Sequence, residues 1–258
     1  MMKVIPLSEG SFTIDHSKKF IPFDTSSEKL QERSRGSLLV EVQPFAVITS
    51  RDTILLDAGL GYVGADGILQ IHHNLTRSGI DPLDVTKVLL THLHKDHAGG
   101  VSRYDDILGR FFLSFPNAIH YVQRREWEYA FANDAASYIP GALEILRDSD
   151  RVILLDGEGD LDGYIHYQPS GGHSLFHQVF RIHDQGETIF FGGDEAPQLQ
   201  QMKSRFVAKY DHDGRRAMEM RQKWWEQGNL ESWTFLFYHD LLTPAYQAGR
   251  HDQSQIKM

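Results

Sequence analysis

Three histidines and an aspartate crowd into six residues of this chain, as His92, His94, Asp96 and His97. Neutral imidazoles and carboxylates are suitable ligands for zinc and similar divalent ions. In an extended segment His92 and His94 point to the same side. Asp96 and His97 follow where the chain bends, so they can face a second position. The spacing therefore predicts a metal site and allows one turn to serve two ions.

The composition narrows the chemistry that is available. The chain has 258 residues, of which 41% are hydrophobic and 24% are charged, values typical of an ordered globular protein. It has no cysteine, so metal ligands must be His, Asp or Glu, and a cysteine nucleophile is excluded. The formal charge of −9 argues against a nucleic acid as partner, because phosphate binding depends on clustered Lys and Arg.

The N-terminal sequence and the hydropathy of the chain are informative about the location of the protein in the cell. The first ten residues lack the apolar segment of a secretory signal, and no stretch approaches the roughly 18 apolar residues of a membrane span. We therefore expect a cytoplasmic protein without a membrane partner.

The candidate ligands lie directly after strand-like runs, where a rigid scaffold holds loop residues that can converge. Alternating and apolar runs predict strands at 38–42, 45–48, 53–56, 87–90, 118–122, 152–155, 164–167, 178–182, 188–191 and 234–238. Helical periodicity predicts helices at 67–78, 124–133, 142–147 and 215–226. No repeat or composition shift divides the chain, so we expect a single domain over 1–258.

The segment His-x-His-x-Asp-His resembles the signature of the metallo-β-lactamase superfamily. Four further motifs of that family occur in this chain, in the same order as in the family. They are Leu55-Leu56-Asp57-Ala58-Gly59, Gly171-Gly172-His173-Ser174, Phe191-Gly192-Gly193-Asp194 and Phe237-Tyr238-His239-Asp240. Each is short, but five in order are strong evidence. The resemblance covers about residues 38–240.

The resemblance implies an α/β (α+β) fold, a four-layer αββα sandwich of two mixed β-sheets flanked by helices. It also implies a two-metal site with two ligand sets and a bridging carboxylate. The implied ligands are His92, His94 and His173 for one ion, Asp96, His97 and His239 for the other, and Asp194 between them. Asp57 would support a ligating imidazole through its other nitrogen, without binding metal itself.

Two such ions hold a hydroxide that attacks the substrate, so no covalent nucleophile is needed. Asp96 would act as the catalytic residue that passes a proton to the leaving group. Zinc is the favoured metal, with iron or manganese as alternatives, because His and carboxylate sites accept several ions according to availability.

Within the superfamily, Thr-His-Leu-His-x-Asp-His-Ala-Gly-Gly resembles the N-acyl homoserine lactonase and methyl parathion hydrolase branch most. Hydrolysis of a small ester or lactone is therefore favoured. Those lactonases carry a tyrosine three residues after the bridging aspartate, whereas Pro197 stands here, so another group must replace it. The alternatives are a thioester hydrolase of the glyoxalase II kind, a phosphoester hydrolase and a non-catalytic, metal-stabilised binding protein.

Two features fall outside the motifs. The N-terminal segment 11–36 is interpreted as a possible lid or dimer arm, which makes a homodimer possible. Six histidines match no motif and are interpreted as ordinary surface, strand or helix residues: His72, His73, His120, His166, His177 and His183.

Overall fold

The computed structural model describes residues 2–132, 135–147 and 149–249. The ends of the predicted domain, residue 1 and residues 250–258, and the last residue of the helix predicted at 124–133 lie outside these ranges. No helix within them is long and apolar enough to cross a membrane.

Strands and helices alternate along the described chain. The strands are β1 (Lys3–Pro6), β2 (Gly10–Ile14), β3 (Phe20–Pro22), β4 (Leu38–Val42), β5 (Phe45–Ile48), β6 (Thr53–Leu56), β7 (Lys87–Leu89), β8 (Ser102–Asp105), β9 (Arg110–Leu113), β10 (Ile119–Gln123), β11 (Val152–Leu155), β12 (Gly159–Leu161), β13 (Ile165–Pro169), β14 (Gln178–Asp184), β15 (Glu187–Phe191), β16 (Thr234–Leu236) and β17 (Ala245–Gln247). The α-helices are α1 (Gln70–Arg77), α2 (Lys95–Ala98), α3 (Arg124–Ala132), α4 (Pro140–Arg147), α5 (Leu199–Met202) and α6 (Gly214–Glu231). Short 3-10 turns occupy Leu30–Glu32, Pro82–Asp84, Gly99–Val101 and Gly193–Glu195.

Two six-stranded mixed sheets dominate the fold. The first has the order β1-β5-β6-β7-β10-β11, and its neighbours are parallel from β6 to β11. The second has the order β12-β13-β14-β15-β16-β17, in which only β15 and β16 run parallel. Two small sheets, β3-β2-β4 and β8-β9, complete the described strands.

Alternation along the strands divides the apolar residues between separate cores, because successive side chains point to opposite faces of a sheet. In β6, Ile54 and Leu56 join the core between the two sheets, where they meet Phe180 and Phe191 of the second sheet. Leu55, between them in sequence, faces the helices instead.

The other faces of the sheets are covered by helices. The amphipathic helix α1 buries Ile71 and Leu75 against the first sheet. Trp224 of α6 packs with Phe190 and Phe235 of the second sheet. Three apolar cores thus separate four layers, and the predicted αββα sandwich is confirmed.

The N-terminal segment 11–36 contributes β3 and most of β2, which pair with β4 in the small sheet. These two strands were not predicted, because a short segment gains its stability from the strand it pairs with. Its role as a lid or dimer arm stays a prediction.

Candidate metal centre

The predicted ligands lie at strand exits on one side of the sandwich. The 92–97 segment follows β7, and its Asp96 and His97 lie in the first turn of α2. His173 follows β13, Asp194 lies in the 3-10 turn after β15, and His239 follows β16. The structure brings all seven side chains together, although they are spread over 148 positions of sequence from 92 to 239.

The first set of donor atoms belongs to His92, His94 and His173. His94 Nδ1 lies 2.9 Å from His92 Nε2 and 3.3 Å from His173 Nε2. The Asp194 carboxylate approaches this set with Oδ2, which lies 3.2 Å from His173 Nε2.

The second set belongs to Asp96, His97 and His239. Asp194 approaches it with its other oxygen, since Oδ1 lies 3.1 Å from His97 Nε2 and 2.9 Å from His239 Nε2. Asp96 Oδ2 lies 3.5 Å from each of these two nitrogens. The two oxygens of one carboxylate therefore face two different ligand sets.

These separations fit divalent cations. Zinc lies about 2.0–2.1 Å from imidazole nitrogen, so tetrahedral ligand atoms are about 3.3 Å apart. His97 Nε2 and Asp194 Oδ1 are buried, and neither has a hydrogen-bond partner among the described residues. Buried polar atoms without partners are costly, and a cation between them would remove that cost.

The electrostatics of the centre also suit a cation. Burial lowers the pKa of His92 and His94 well below the usual value, and neighbouring imidazoles add to the effect, so both rings are neutral as ligands must be. Burial alone would raise the pKa of Asp194, but His239, His97 and His173 hold that pKa well below its usual range. The carboxylate at the centre is therefore ionised.

Asp57 supports two of the imidazoles. It is fully buried and accepts hydrogen bonds from the Thr91 backbone N–H at 2.8 Å, from Thr91 Oγ1 at 2.8 Å and from His97 Nδ1 at 2.7 Å. Since the Thr91 hydroxyl donates to Asp57, its oxygen accepts from His92 Nδ1 at 3.0 Å. Both His92 and His97 then present Nε2 to the centre.

His173 and His239 are held by groups that the sequence did not indicate. His173 Nδ1 lies 3.0 Å from Asp211 Oδ1, and the buried Glu195 accepts from the backbone N–H of His173 at 3.1 Å. His239 Nδ1 donates to the backbone carbonyl of Glu41 at 2.6 Å. In the sequence, Asp211 is notable only as an acidic residue close to the start of α6. Glu195 is notable only as the neighbour of Asp194.

His177 differs from the ordinary role assigned to it. It is fully buried, its ring centroid lies 4.8 Å from that of His92, and its Nε2 accepts from the Asp194 backbone N–H at 3.3 Å. Ser170 Oγ contacts its Nδ1 at 2.9 Å. His177 thus positions the backbone of the central aspartate.

The loop of Asp57 and the start of α2 are packed backbone against backbone. The Ala58 N–H donates to the His97 carbonyl at 2.6 Å. A Cβ on Gly100 would lie 2.0 Å from Ala58 O, and one on Gly99 would lie 2.3 Å from Leu60 O. Only glycine allows this approach, which fixes Asp57 beside His97.

A cavity of about 690 Å³ opens over the centre. Residues of both ligand sets form its floor: His94, Asp96, His173, Asp194 and His239. Apolar side chains from the N-terminal segment, the small sheet and the loop before α6 form its walls: Ile14, Phe20, Leu38, Val40, Phe206 and Val207.

A phenol also faces this cavity. Tyr210 lies in the lining together with Pro197, and its ring centroid is 6.2 Å from that of His173. Its hydroxyl accepts from Gln201 Nε2 at 3.3 Å, which leaves the phenolic proton available. Its partial burial raises the pKa of Tyr210 to about 12, so it remains a hydrogen-bond donor at neutral pH.

Comparison with known proteins agrees with this architecture. The family model of the metallo-beta-lactamase superfamily matches residues 40–239, and the chain belongs to that superfamily. The N-acyl homoserine lactonase AttM of Azorhizobium caulinodans is 40% identical over an alignment of 114 positions that covers 40% of this chain and 38% of that relative. The matched region thus spans well under half of the relative's length.

Solved structures share the fold over nearly the whole chain. A probable metal-dependent hydrolase from Staphylococcus aureus has a TM-score of 0.76 and 25% identity, covering 95% of this chain and 92% of that one. AidC, a dizinc quorum-quenching lactonase in complex with a product, has a TM-score of 0.70 and 19% identity, with coverages of 95% and 89%.

Proposed function

We propose that this protein is a metal-dependent hydrolase that uses two divalent ions to cleave small lactones or esters. The observation that carries the proposal is the orientation of Asp194, whose Oδ2 faces the set with His173 and whose Oδ1 faces the set with His97 and His239. A single carboxylate between two sets of three ligands each is suited to bridging two ions. When bound, the two ions would lower the pKa of a water molecule and polarise the substrate carbonyl.

The protein's own groups supply binding, orientation and proton transfer. The apolar walls bind the hydrocarbon part of the substrate and exclude water from it. We assign Tyr210 as the donor to the substrate carbonyl oxygen, in place of the tyrosine that Pro197 replaces. Asp96 lies on the cavity floor, and we assign it proton transfer to the leaving oxygen.

The lactone or ester class is supported by the comparison with AttM, whose name describes an N-acyl homoserine lactonase. Zinc is supported by the donor set and by the dizinc neighbour AidC. A small-molecule substrate is supported by the volume of the cavity over the centre, about 690 Å³.

The test combines metal content with turnover. Protein loaded with zinc or manganese is assayed on a lactone, an aryl ester, a thioester and a phosphotriester, and its metal is quantified by elemental analysis. We expect about two ions per chain in the wild type and loss of at least one in Asp194→Asn, with turnover reduced ~100-fold or more. Circular dichroism establishes that the variant is folded.

Asp156→Asn is the matched control, because Asp156 is exposed and pairs with Arg124 away from the centre. Wild-type metal content and turnover in Asp194→Asn would contradict the bridging role. Full metal occupancy without turnover of any substrate in the panel would favour a metal-stabilised binding protein instead.

A further inference from the structure

Three lysines, Lys18, Lys95 and Lys209, line the cavity and form what we call the lysine group. They stand out in a chain whose formal net charge is −9. Within 2–132, 135–147 and 149–249, no carboxylate oxygen lies within 4.0 Å of any of their ammonium groups, whereas Lys29 and Lys87 do have such partners. The lysine group therefore presents positive charge to whatever enters the cavity.

Lys95 is held in place over the cavity. Its Nζ donates to the Ala136 carbonyl at 3.1 Å and lies 5.9 Å from the centroid of the Phe20 ring. Phe20 begins β3, two residues after Lys18, and both lysines line the same cavity. An anion bound between the two ammonium groups would relieve the repulsion between their like charges.

Asp15, an acidic residue of the lining three positions before Lys18, accepts hydrogen bonds within its own turn. Asp15 accepts through Oδ1 from the Ser17 N–H at 2.8 Å, and its carbonyl accepts from the Lys18 N–H at 3.0 Å. Lys18 itself has a left-handed backbone with φ of 57°. The turn therefore directs Lys18 into the lining without giving it an internal counterion.

We propose that the substrate carries an anionic group, a carboxylate or a phosphate, that binds between Lys18 and Lys95 at a distance from the bond that is cleaved. Its hydrocarbon part would lie along Ile14 and Leu38, which line the same cavity. A neutral acyl chain would instead desolvate the two ammonium groups without compensation. This inference rests on the proposed hydrolase function and specifies its substrate class as anionic esters or lactones.

Binding is tested with anilides, whose unactivated amide bonds resist cleavage. Zinc-loaded protein is titrated by calorimetry with hexananilide, with the monoanilide of adipic acid and with a counterpart that ends in phosphate. We expect the anionic compounds to bind roughly tenfold more tightly than the neutral one, about 1.4 kcal/mol. The stronger of the two anionic compounds identifies the group that the site prefers.

Variants locate the source of that preference. Lys95→Gln and Lys18→Asn should each reduce it, and the double variant should abolish it; asparagine suits the left-handed backbone at position 18. Lys95→Arg should retain it. Lys29→Gln, outside the cavity lining and paired with Glu32, is the control.

Two results of the binding experiment would overturn the proposal: equal binding of neutral and anionic anilides, or a preference that survives in the double variant. The second result would mean that the anion binds the metal ions.

The 4-nitrophenyl esters of hexanoate and of adipate separate this proposal from hydrolysis itself. Cleavage of both esters at equal kcat/KM would refute the anion site and leave the hydrolase function intact. Preferential binding of the anionic anilides without cleavage of either ester would support the anion site and count against ester hydrolysis.

Discussion

Replacing Asp57 by asparagine tests whether this buried carboxylate positions the metal ligands. The side chain is fully buried, and its backbone has a φ of 55°. Asparagine has nearly the same shape and is one of the few residues that tolerate this left-handed conformation. The substitution therefore changes hydrogen bonding without imposing a new backbone strain.

The loss can be worked out from the contacts. Asp57 Oδ2 receives both Thr91 Oγ1 and His97 Nδ1, while Oδ1 receives the Thr91 backbone N–H. In either orientation of the asparagine amide, its NH₂ group lies next to a donor group whose hydrogen bond the carboxylate had accepted. One hydrogen bond to a charged group contributes about 1.5–3 kcal/mol. This matches the 10–100-fold loss of metal affinity that is typical when such a partner of a ligand is removed.

The measurement is zinc affinity by competition with a chromophoric chelator. We expect Asp57→Asn to bind zinc ~10–100-fold more weakly than the wild type. Asp81→Asn is the control, because Asp81 caps an exposed 3-10 turn by accepting from the Leu83 N–H, which asparagine also does. Thermal unfolding of the metal-free proteins shows that the variant is folded. Zinc affinity equal to that of the wild type would refute the idea that Asp57 orients His97.

Two further outcomes follow from the ionisable side chains of Glu9 and Tyr210. Burial raises the pKa of Glu9 to about 8, against the opposing hydrogen bond from the Leu60 N–H. The native state of the metal-free protein then binds more protons than the unfolded state between about pH 4.5 and 8, so its free energy of unfolding falls with rising pH by up to ~1.4 kcal/mol per unit. Urea unfolding of Glu9→Gln should lack this part of the pH dependence, and an unchanged pH dependence would argue against a protonated Glu9 in the native state. Tyr210→Phe should lower kcat about tenfold with unchanged metal content, since it removes one hydrogen bond to the reacting carbonyl; an unchanged kcat would exclude that role.

Individual strands and helices could be predicted because they follow from local patterns, whereas their arrangement in four layers was expected from the resemblance to the family. The alternation of Ile54, Leu55 and Leu56 between two cores is a property of any strand that is buried on both faces. The 67–78 prediction corresponds to α1, Gln70–Arg77, and the 215–226 prediction to α6, which continues to Glu231. Such patterns need no knowledge of distant contacts.

The candidate ligands and the supporting role of Asp57 were expected from the motifs of the family, but the other supports could not be predicted. Asp211 meets His173 across 38 positions, and the Glu41 carbonyl meets His239 across 198. A backbone carbonyl has no sequence signal at all. His177 was missed for a related reason, since nothing in its local sequence distinguishes an exposed histidine from one that is buried under Asp194.

The contact of Gly99 and Gly100 with the Ala58–Leu60 backbone determines which parts of the site tolerate substitution. With a Cβ only 2.0 Å from Ala58 O, any substitution at Gly100 forces the metal-binding loops apart, so this half of the centre is closed to variation. The opposite wall of the cavity comes from the N-terminal strands and from the loop at Phe206 and Val207, which carry no predicted ligand. Selection for a new substrate can act on that wall while the chemistry below it stays intact, and a library for redesigning specificity belongs there.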